Sequence, residues 1–299
     1  MGEAGSAEGG NRESTLLAMI LSFVPVANLG AAPLALALLA MLAYGLAALP
    51  VQGASRLPVP ALVAGWLLHA VLLALDIGGW GRGEPGARLG FGPVLSLTVW
   101  LVMAVHEVES RFVPLPAVRR ALAISGAMTV LLAWAFPGEV KPAASAWMPL
   151  HWALGVASYA LLGAAVLHAT MLDSAERKLR PRSTALQAAA PSGPTPGPMG
   201  MPLLRLERLT FRFVEAGFVV LTAALLMGTA TTLSWRWDHK TVFSLLGWAV
   251  FAALLAGRQW RGWRGRRATR WLYVGAALLL LGYAGSRFVF EVVLGRSAV

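Results

Sequence analysis

Apolar residues run in blocks of roughly twenty along this chain, separated by short stretches holding charge, glycine or proline. About twenty residues is what a helix needs to cross some 30 Å of hydrocarbon. The blocks fall at 31–50, 59–77, 91–107, 118–136, 150–172, 211–233, 241–257 and 271–291. The pattern predicts an all-α fold, a polytopic membrane helix bundle of about eight transmembrane helices. A ninth apolar stretch, 15–30, is interrupted by Pro25, Asn28 and Gly30 and is followed at once by Pro33. It reads as an interfacial or partly inserted lead-in. A cleaved signal peptide is the weaker alternative, because the residues ahead of it are acidic rather than basic. Ser183 to Met201 is rich in Pro, Gly, Ser and Ala and lacks an apolar period, so it reads as a flexible cytoplasmic linker. The expected organisation is an N-terminal extension (1–30), a five-span part (31–182), the linker (183–203) and a three-span part (204–299).

Composition agrees: 57% of the 299 residues are hydrophobic and 13% are charged, against about half and a quarter in an ordinary soluble domain. The formal charge is +11, which in a soluble protein would point to nucleic acid. Here it sorts by side. With eight spans, the turns at 51–58, 108–120, 173–210 and 258–270 share one face of the membrane, and with their flanks they hold 17 of the 25 Lys and Arg residues. The positive-inside bias makes that face cytoplasmic, so both termini are expected outside the cytoplasm, and the charge calls for no nucleic-acid partner. The absence of cysteine excludes disulfides, thiol chemistry, cysteine-held iron–sulfur clusters and a covalently attached c-type haem.

On this topology His106 and His168 sit near the cytoplasmic ends of their spans and read as solvated or interfacial residues. His151 opens the fifth span at the outer surface, and His239 lies in the outer turn between spans six and seven. His69 is inside the second span, about 12 Å deep at helical rise. An ionisable group there marks a functional position or a hydrogen-bonded helix contact. Six of the twelve tryptophans (Trp80, Trp134, Trp147, Trp152, Trp235, Trp237) fall at the outer boundary, more than an aromatic belt requires. The turn Trp235-Arg236-Trp237-Asp238-His239-Lys240 combines two indoles, a carboxylate, two cations and an imidazole. Such a turn suits a flat, amphiphilic, anionic ligand. Haem fits: indoles for its apolar face, Arg236 and Lys240 for propionates, imidazole for iron. Asp238 is either an imidazole-orienting group or the N-cap of the next helix, with capping the more ordinary role.

Leu150-His151-Trp152 through Ser158-Tyr159-Ala160 resembles the "LH…L…YA" span of the cytochrome c assembly family, the CcsA-type haem-handling membrane proteins. Trp235-Arg236-Trp237-Asp238, with Gly247-Trp248 downstream, resembles that family's tryptophan-rich external motif. Gly262 to Ala268 and Gly282-Tyr283-Ala284-Gly285 are similar to its terminal segment. The resemblance covers about residues 31 to 296, is most specific from Trp147 onward, and is strongest to the small YpjD-like inner-membrane branch. It implies a membrane protein that binds haem non-covalently (haem b, since no thioether is available) on the extracytoplasmic side. His151 and, less distinctively, His69 then take the role of iron ligands. The partners implied are haem, other cytochrome c assembly proteins and the lipid bilayer. The chain also departs from the pattern: His239 stands where the family usually has proline, and Gly285-Ser286-Arg287 replaces a second external histidine. The depth of His69 separates it from His151. His151 with His239 is the easier pair, and single-ligand binding is a third arrangement.

The expected function is a haem-binding accessory protein of cytochrome c assembly, with no catalytic residues and no bond chemistry of its own. The alternatives are a small-molecule or ion transporter, which would show paired ionisable groups or broken helices in related halves, and a membrane scaffold working without haem through the arginine-rich 258–270 loop. That loop is otherwise a topology determinant and anionic-lipid contact.

Overall fold

The computed structural model describes residues 31–50, 57–77, 87–110, 116–142, 145–186, 203–231, 237–289 and 293. The lead-in at 15–30 and most of the linker, from 187 to 202, lie outside them. Eight helices stand where eight apolar blocks predict them: α1 (Ala31–Ala48), α2 (Pro58–Asp76), α3 (Phe91–Ser110), α4 (Pro116–Ala135), α5 (Met148–Leu186), α6 (Leu203–Thr231), α7 (His239–Arg261) and α8 (Gly265–Leu280). Six of them, α2 to α7, are long and apolar enough to cross a membrane. After α8 a π-helical segment, Leu281–Gly285, and a single helical turn, Ser286–Phe288, continue the helical path. A minimal antiparallel pair, β1 (Ala87–Arg88) with β2 (Val140–Lys141), ties the approaches to α3 and α5.

Helices dominate because hydrocarbon offers backbone groups no alternative partner, and a helix satisfies them within one segment. Local signals set several ends. Proline occupies the first turn of α2, where its missing N–H costs nothing. Asp238 caps α7, its Oδ1 accepting the Thr241 N–H at 2.8 Å. Hydroxyls inside the spans turn back on their own helices, as Thr98 does to the Val94 carbonyl and Thr210 to the Leu206 carbonyl, both at 2.8 Å.

Besides a small cluster of Leu89, Val94 and Val156 near the starts of α3 and α5, two larger apolar clusters organise the bundle. One gathers Tyr44, Leu62, Met103 and Leu122 from α1 to α4, and Leu172 of α5 and Leu206 of α6 reach into it. The other gathers Leu162, Phe211, Phe251, Leu254 and Leu272 from α5 to α8. Helix α5 therefore belongs to both. Leucines and valines such as Leu38, Leu42, Leu67, Val219 and Leu226 are exposed, as side chains facing lipid must be.

The α2–α3 contact is unusually regular. The Trp66 and Trp100 rings stack 4.7 Å apart and within 3° of parallel. Each indole N–H donates to the backbone carbonyl of the other tryptophan, at 3.1 Å and 3.0 Å. At the opposite end from β1–β2, Asp173 of α5 accepts the hydroxyls of Thr269 (3.1 Å) and Tyr273 (2.8 Å) of α8. Arg258 of α7 pairs with Glu207 of α6 at 3.3 Å and lies 3.5 Å over the Phe211 ring.

Interhelical hydrogen bonds in membranes contribute about 0.6 kcal/mol on average and up to about 2 kcal/mol. Trp100→Phe removes one of the reciprocal bonds and should lower the thermal unfolding midpoint in detergent, and Trp66→Phe/Trp100→Phe should lower it further. An unchanged midpoint in the double variant would refute a stabilising role for the pair.

Candidate functional site

The structure separates the histidines into different environments. His69 of α2 is buried between neighbouring helices, with both ring nitrogens engaged. Tyr44 of α1 meets Nδ1 at 3.0 Å and Ser96 of α3 meets Nε2 at 2.6 Å. The Tyr44 ring reaches His69 because Gly65 and Gly126 flank it. A Cβ at either position would lie 2.8–2.9 Å from the ring, so any larger residue would displace it. His69 stands seven residues before the end of α2, or about 10 Å along the axis. Three helices thus converge on one imidazole.

His106 and His168 correct the expectation of solvated helix ends. Both are buried. The Nδ1–H of His168 donates to the Ala164 carbonyl at 2.7 Å, and its ring stacks on Phe213 at 5.2 Å. The long α5 and α6 continue well past the apolar block, so His168 falls within a helix pair rather than at its end. His239 is the first residue of α7 and is exposed.

His151 is placed differently from all of these. It lies in the first turn of α5, half-buried, against the last turns of α6. A carbonyl can only accept, so the 3.0 Å contact between Nδ1 and the Ala224 carbonyl assigns the proton to Nδ1. In the neutral ring this is the Nδ1–H tautomer, which leaves the lone pair on Nε2. Among the described residues Nε2 has no partner. The ring sits directly over Gly228, where a Cβ would lie 3.0 Å from His151 Cε1. A neutral imidazole oriented by a carbonyl on one nitrogen and open at the other is the arrangement metal-ligating histidines use.

Around this end of the bundle, near the starts of α5 and α7, Trp147 and Trp237 are 63% and 73% exposed. Asp238 is committed to capping, since its Oδ1 also accepts the Thr241 hydroxyl at 2.8 Å. Lys240 is half-buried in the first turn of α7. Trp235 and Arg236 lie outside the described residues. The structure brings His151, Trp237 and Lys240 to the same end of the bundle and keeps His69 apart on α2. No cluster of three metal-ligating side chains occurs among the described residues.

Sequence reasoning missed several partners. Tyr44, Ser96 and Gly228 carry no motif, and only the helix packing reveals them. Tyr159 and Tyr283 belong to motifs, yet their work appears only in three dimensions. Tyr159 donates to the Leu279 carbonyl at 2.6 Å, just before the π-helical segment, and Tyr283 within that segment donates to the Leu89 carbonyl at 2.7 Å. Segments of π-helix inside α-helices are frequent at functional sites. Trp248 holds α7 to α6, donating to Thr222 Oγ1 at 2.9 Å while stacking on Phe218.

Three comparisons bear on this arrangement. The family model described as "Cytochrome C assembly protein" matches residues 91–294. The inner membrane protein YpjD of Escherichia coli (strain K12) is 30% identical over 236 residues, covering 77% of this chain and 85% of that protein. The cytochrome c biogenesis protein CcsA of Synechococcus sp. (strain CC9605) is 28% identical over 289 residues, covering 88% of this chain and 93% of its own. No solved structure matches.

Leaving a buried donor or acceptor unpaired costs about 1–3 kcal/mol. Tyr44→Phe and Ser96→Ala should each lower the unfolding midpoint. Because both act through His69, the double variant should lose less than the sum of the two. Strict additivity, or no loss in either, would show that His69 does not couple the three helices.

Proposed function

The chain belongs to the cytochrome C assembly protein family and is a multi-pass membrane protein of cytochrome c biogenesis, and from that premise we propose that it holds haem b non-covalently at the end of the bundle where α5 begins. The proposed face is extracytoplasmic, as the distribution of arginines suggests. The observation that carries this reading is the Nδ1–H tautomer of His151, fixed by the Ala224 carbonyl, with Nε2 left open.

The residues present fit the group. Haem bound here would supply its iron and macrocycle for transfer to an apocytochrome or another assembly component. The chain's own part is to bind and to orient. His151 offers one nitrogen ligand, held in place by α6. Trp237 offers an exposed indole, with Trp235 two residues before it in sequence, and Lys240 and Arg236 are the cations for propionates. Asp238 acts on this turn through α7, whose first residues it caps. His239 stays a candidate second ligand, as an exposed imidazole one residue from that cap. His69 remains a candidate ligand at a separate, buried position, where ligation requires it to give up Tyr44 or Ser96. With no cysteine in the chain, any covalent attachment of haem to a polypeptide falls to another protein.

Expression under haem-replete conditions followed by purification in detergent should give a Soret band. His151→Ala should abolish most of it, whereas His69→Ala should leave it if the sites are separate. Gly228→Val drives a side chain against the His151 ring. It should weaken haem retention by about tenfold, the lower range seen when a ligand's supporting contacts are lost. A folded protein that carries no haem, or a His151→Ala variant with an unchanged Soret band, would refute the assignment.

A further inference from the structure

At the end of the bundle away from β1–β2, α4 opens on Pro116-Ala117-Val118-Arg119. Val118 and Leu122 belong to the first apolar cluster, yet Arg119 between them is itself only 9% exposed. An arginine keeps its charge inside proteins, and a buried charge left without a partner strongly destabilises a fold. Among the described residues Arg119 has no such partner: its Nε and Nη2 are both shut off from solvent without a hydrogen bond. The Nε–H and the adjacent Nη2–H lie along one edge of the guanidinium plane. That edge is the one that grips two oxygens of a single oxyanion.

The helix adds to the demand for an anion. Helical side chains lean toward the N-terminus of their own helix, which carries the guanidinium back over the first turn of α4. There the N–H groups of Ala117 and Val118 have no intrahelical acceptor, Pro116 has no N–H, and the macrodipole is positive. A cation in that position is opposed by the dipole it faces, whereas an anion is attracted by both. Of the carboxylates at this end, Asp173 is taken by Thr269 and Tyr273, and Glu207 by Arg258. The connecting segments at this end, 51–56, 111–115, 187–202 and 262–264, contain no Asp or Glu. The apolar span of α4 begins at Val118, so Arg119 stands at the edge of the hydrocarbon, the depth at which a bilayer presents its phosphodiesters.

We propose that Arg119 and the first turn of α4 seat the phosphate of one membrane phospholipid headgroup, gripped side-on by Nε and Nη2 and met by the N–H groups of that turn. Three features select this occupant: a buried guanidinium with its bidentate edge unpaired, a helix N-terminus beneath it, and a position at the bilayer boundary. The headgroup neutralises a charge that otherwise opposes the packing of α4 on α1 and α3. The site lies at the opposite end of the bundle from His151 and is independent of haem binding there.

The test uses the full chain, delipidated in dodecyl maltoside and phosphate-free buffer. Phosphatidylglycerol, diacylglycerol with the same acyl chains, and inorganic phosphate are added separately. Native mass spectrometry reads the lipid retained, and the thermal unfolding midpoint is followed in parallel. Phosphatidylglycerol should be retained and should raise the midpoint by several degrees, while diacylglycerol should do neither. Arg119→Met keeps the length of the side chain and removes the charge. It should retain about tenfold less lipid, as expected when a charge-assisted hydrogen bond is lost, and should lose the midpoint shift. Arg119→Lys keeps the charge without the fork; it should fall between the two and keeps the test valid if Arg119→Met does not fold. The exposed neighbour serves as control, with Arg120→Gln behaving as the unmodified chain. The proposal is overturned if diacylglycerol or inorganic phosphate alone reproduces the shift, or if both Arg119 variants retain lipid undiminished. It is also overturned if Glu109→Gln destabilises the lipid-free protein and adding Arg119→Met to it costs nothing more, because a carboxylate of α3 would then be the partner of Arg119.

Discussion

The bundle depends on how closely other helices approach α5. Lipid tails are as apolar as leucine, so burying apolar surface between helices yields little, and association rests on packing and on paired polar groups. Helix α5 meets that constraint with small residues: Ala160, Ala164, Ala165 and Ala169 are all buried. That seam lets α3 pack on one side and α6 and α8 on the other, so α5, like α6, serves both larger apolar clusters. The first turns of the same helix then hold His151 against α6 and Trp152 toward α3. Two distinct surfaces are generated by adjacent residues because successive side chains on a helix point about 100° apart.

Several polar groups inside the bundle are satisfied across helices, each donor away from water finding an acceptor. The Trp66–Trp100 pair does so with backbone carbonyls, His69 with Tyr44 and Ser96, and Tyr159 with the Leu279 carbonyl beside the π-helical segment. Asp173 accepts two hydroxyls from α8. These contacts cross between helices at different heights, and each fixes a rotation or a register that apolar packing leaves loose. His151 stands apart from the pattern because only one of its two nitrogens is engaged.

Much of the architecture was legible in one dimension. Eight apolar blocks became eight helices, and Asp238, read as an N-cap followed by an apolar run, caps α7. The tryptophan-rich turn and the Leu150–Ala160 span pointed to the family before any contact was known. The environment of each histidine was not legible. His106 and His168 look like interfacial residues from their place near the ends of apolar blocks, yet both are buried; for His168 the reason is that α5 and α6 extend as a packed pair beyond the hydrocarbon-length segment. Hydropathy records how long an apolar run is, and it carries no information about where a neighbouring helix stops.

The sequence by itself determined that the chain is a bundle of membrane helices, where the apolar blocks that form them lie, the sidedness expected from arginine counting, and the exclusion of every cysteine-dependent chemistry. Those properties are set by composition and by the length of runs, which are local. The tertiary structure alone decided which nitrogen of His151 faces the Ala224 carbonyl, that Gly228 makes room for its ring, and that His69 is shared between Tyr44 and Ser96. Each of these joins residues dozens of positions apart. Such pairings follow from helix rotation and approach distance, which only the packed bundle defines.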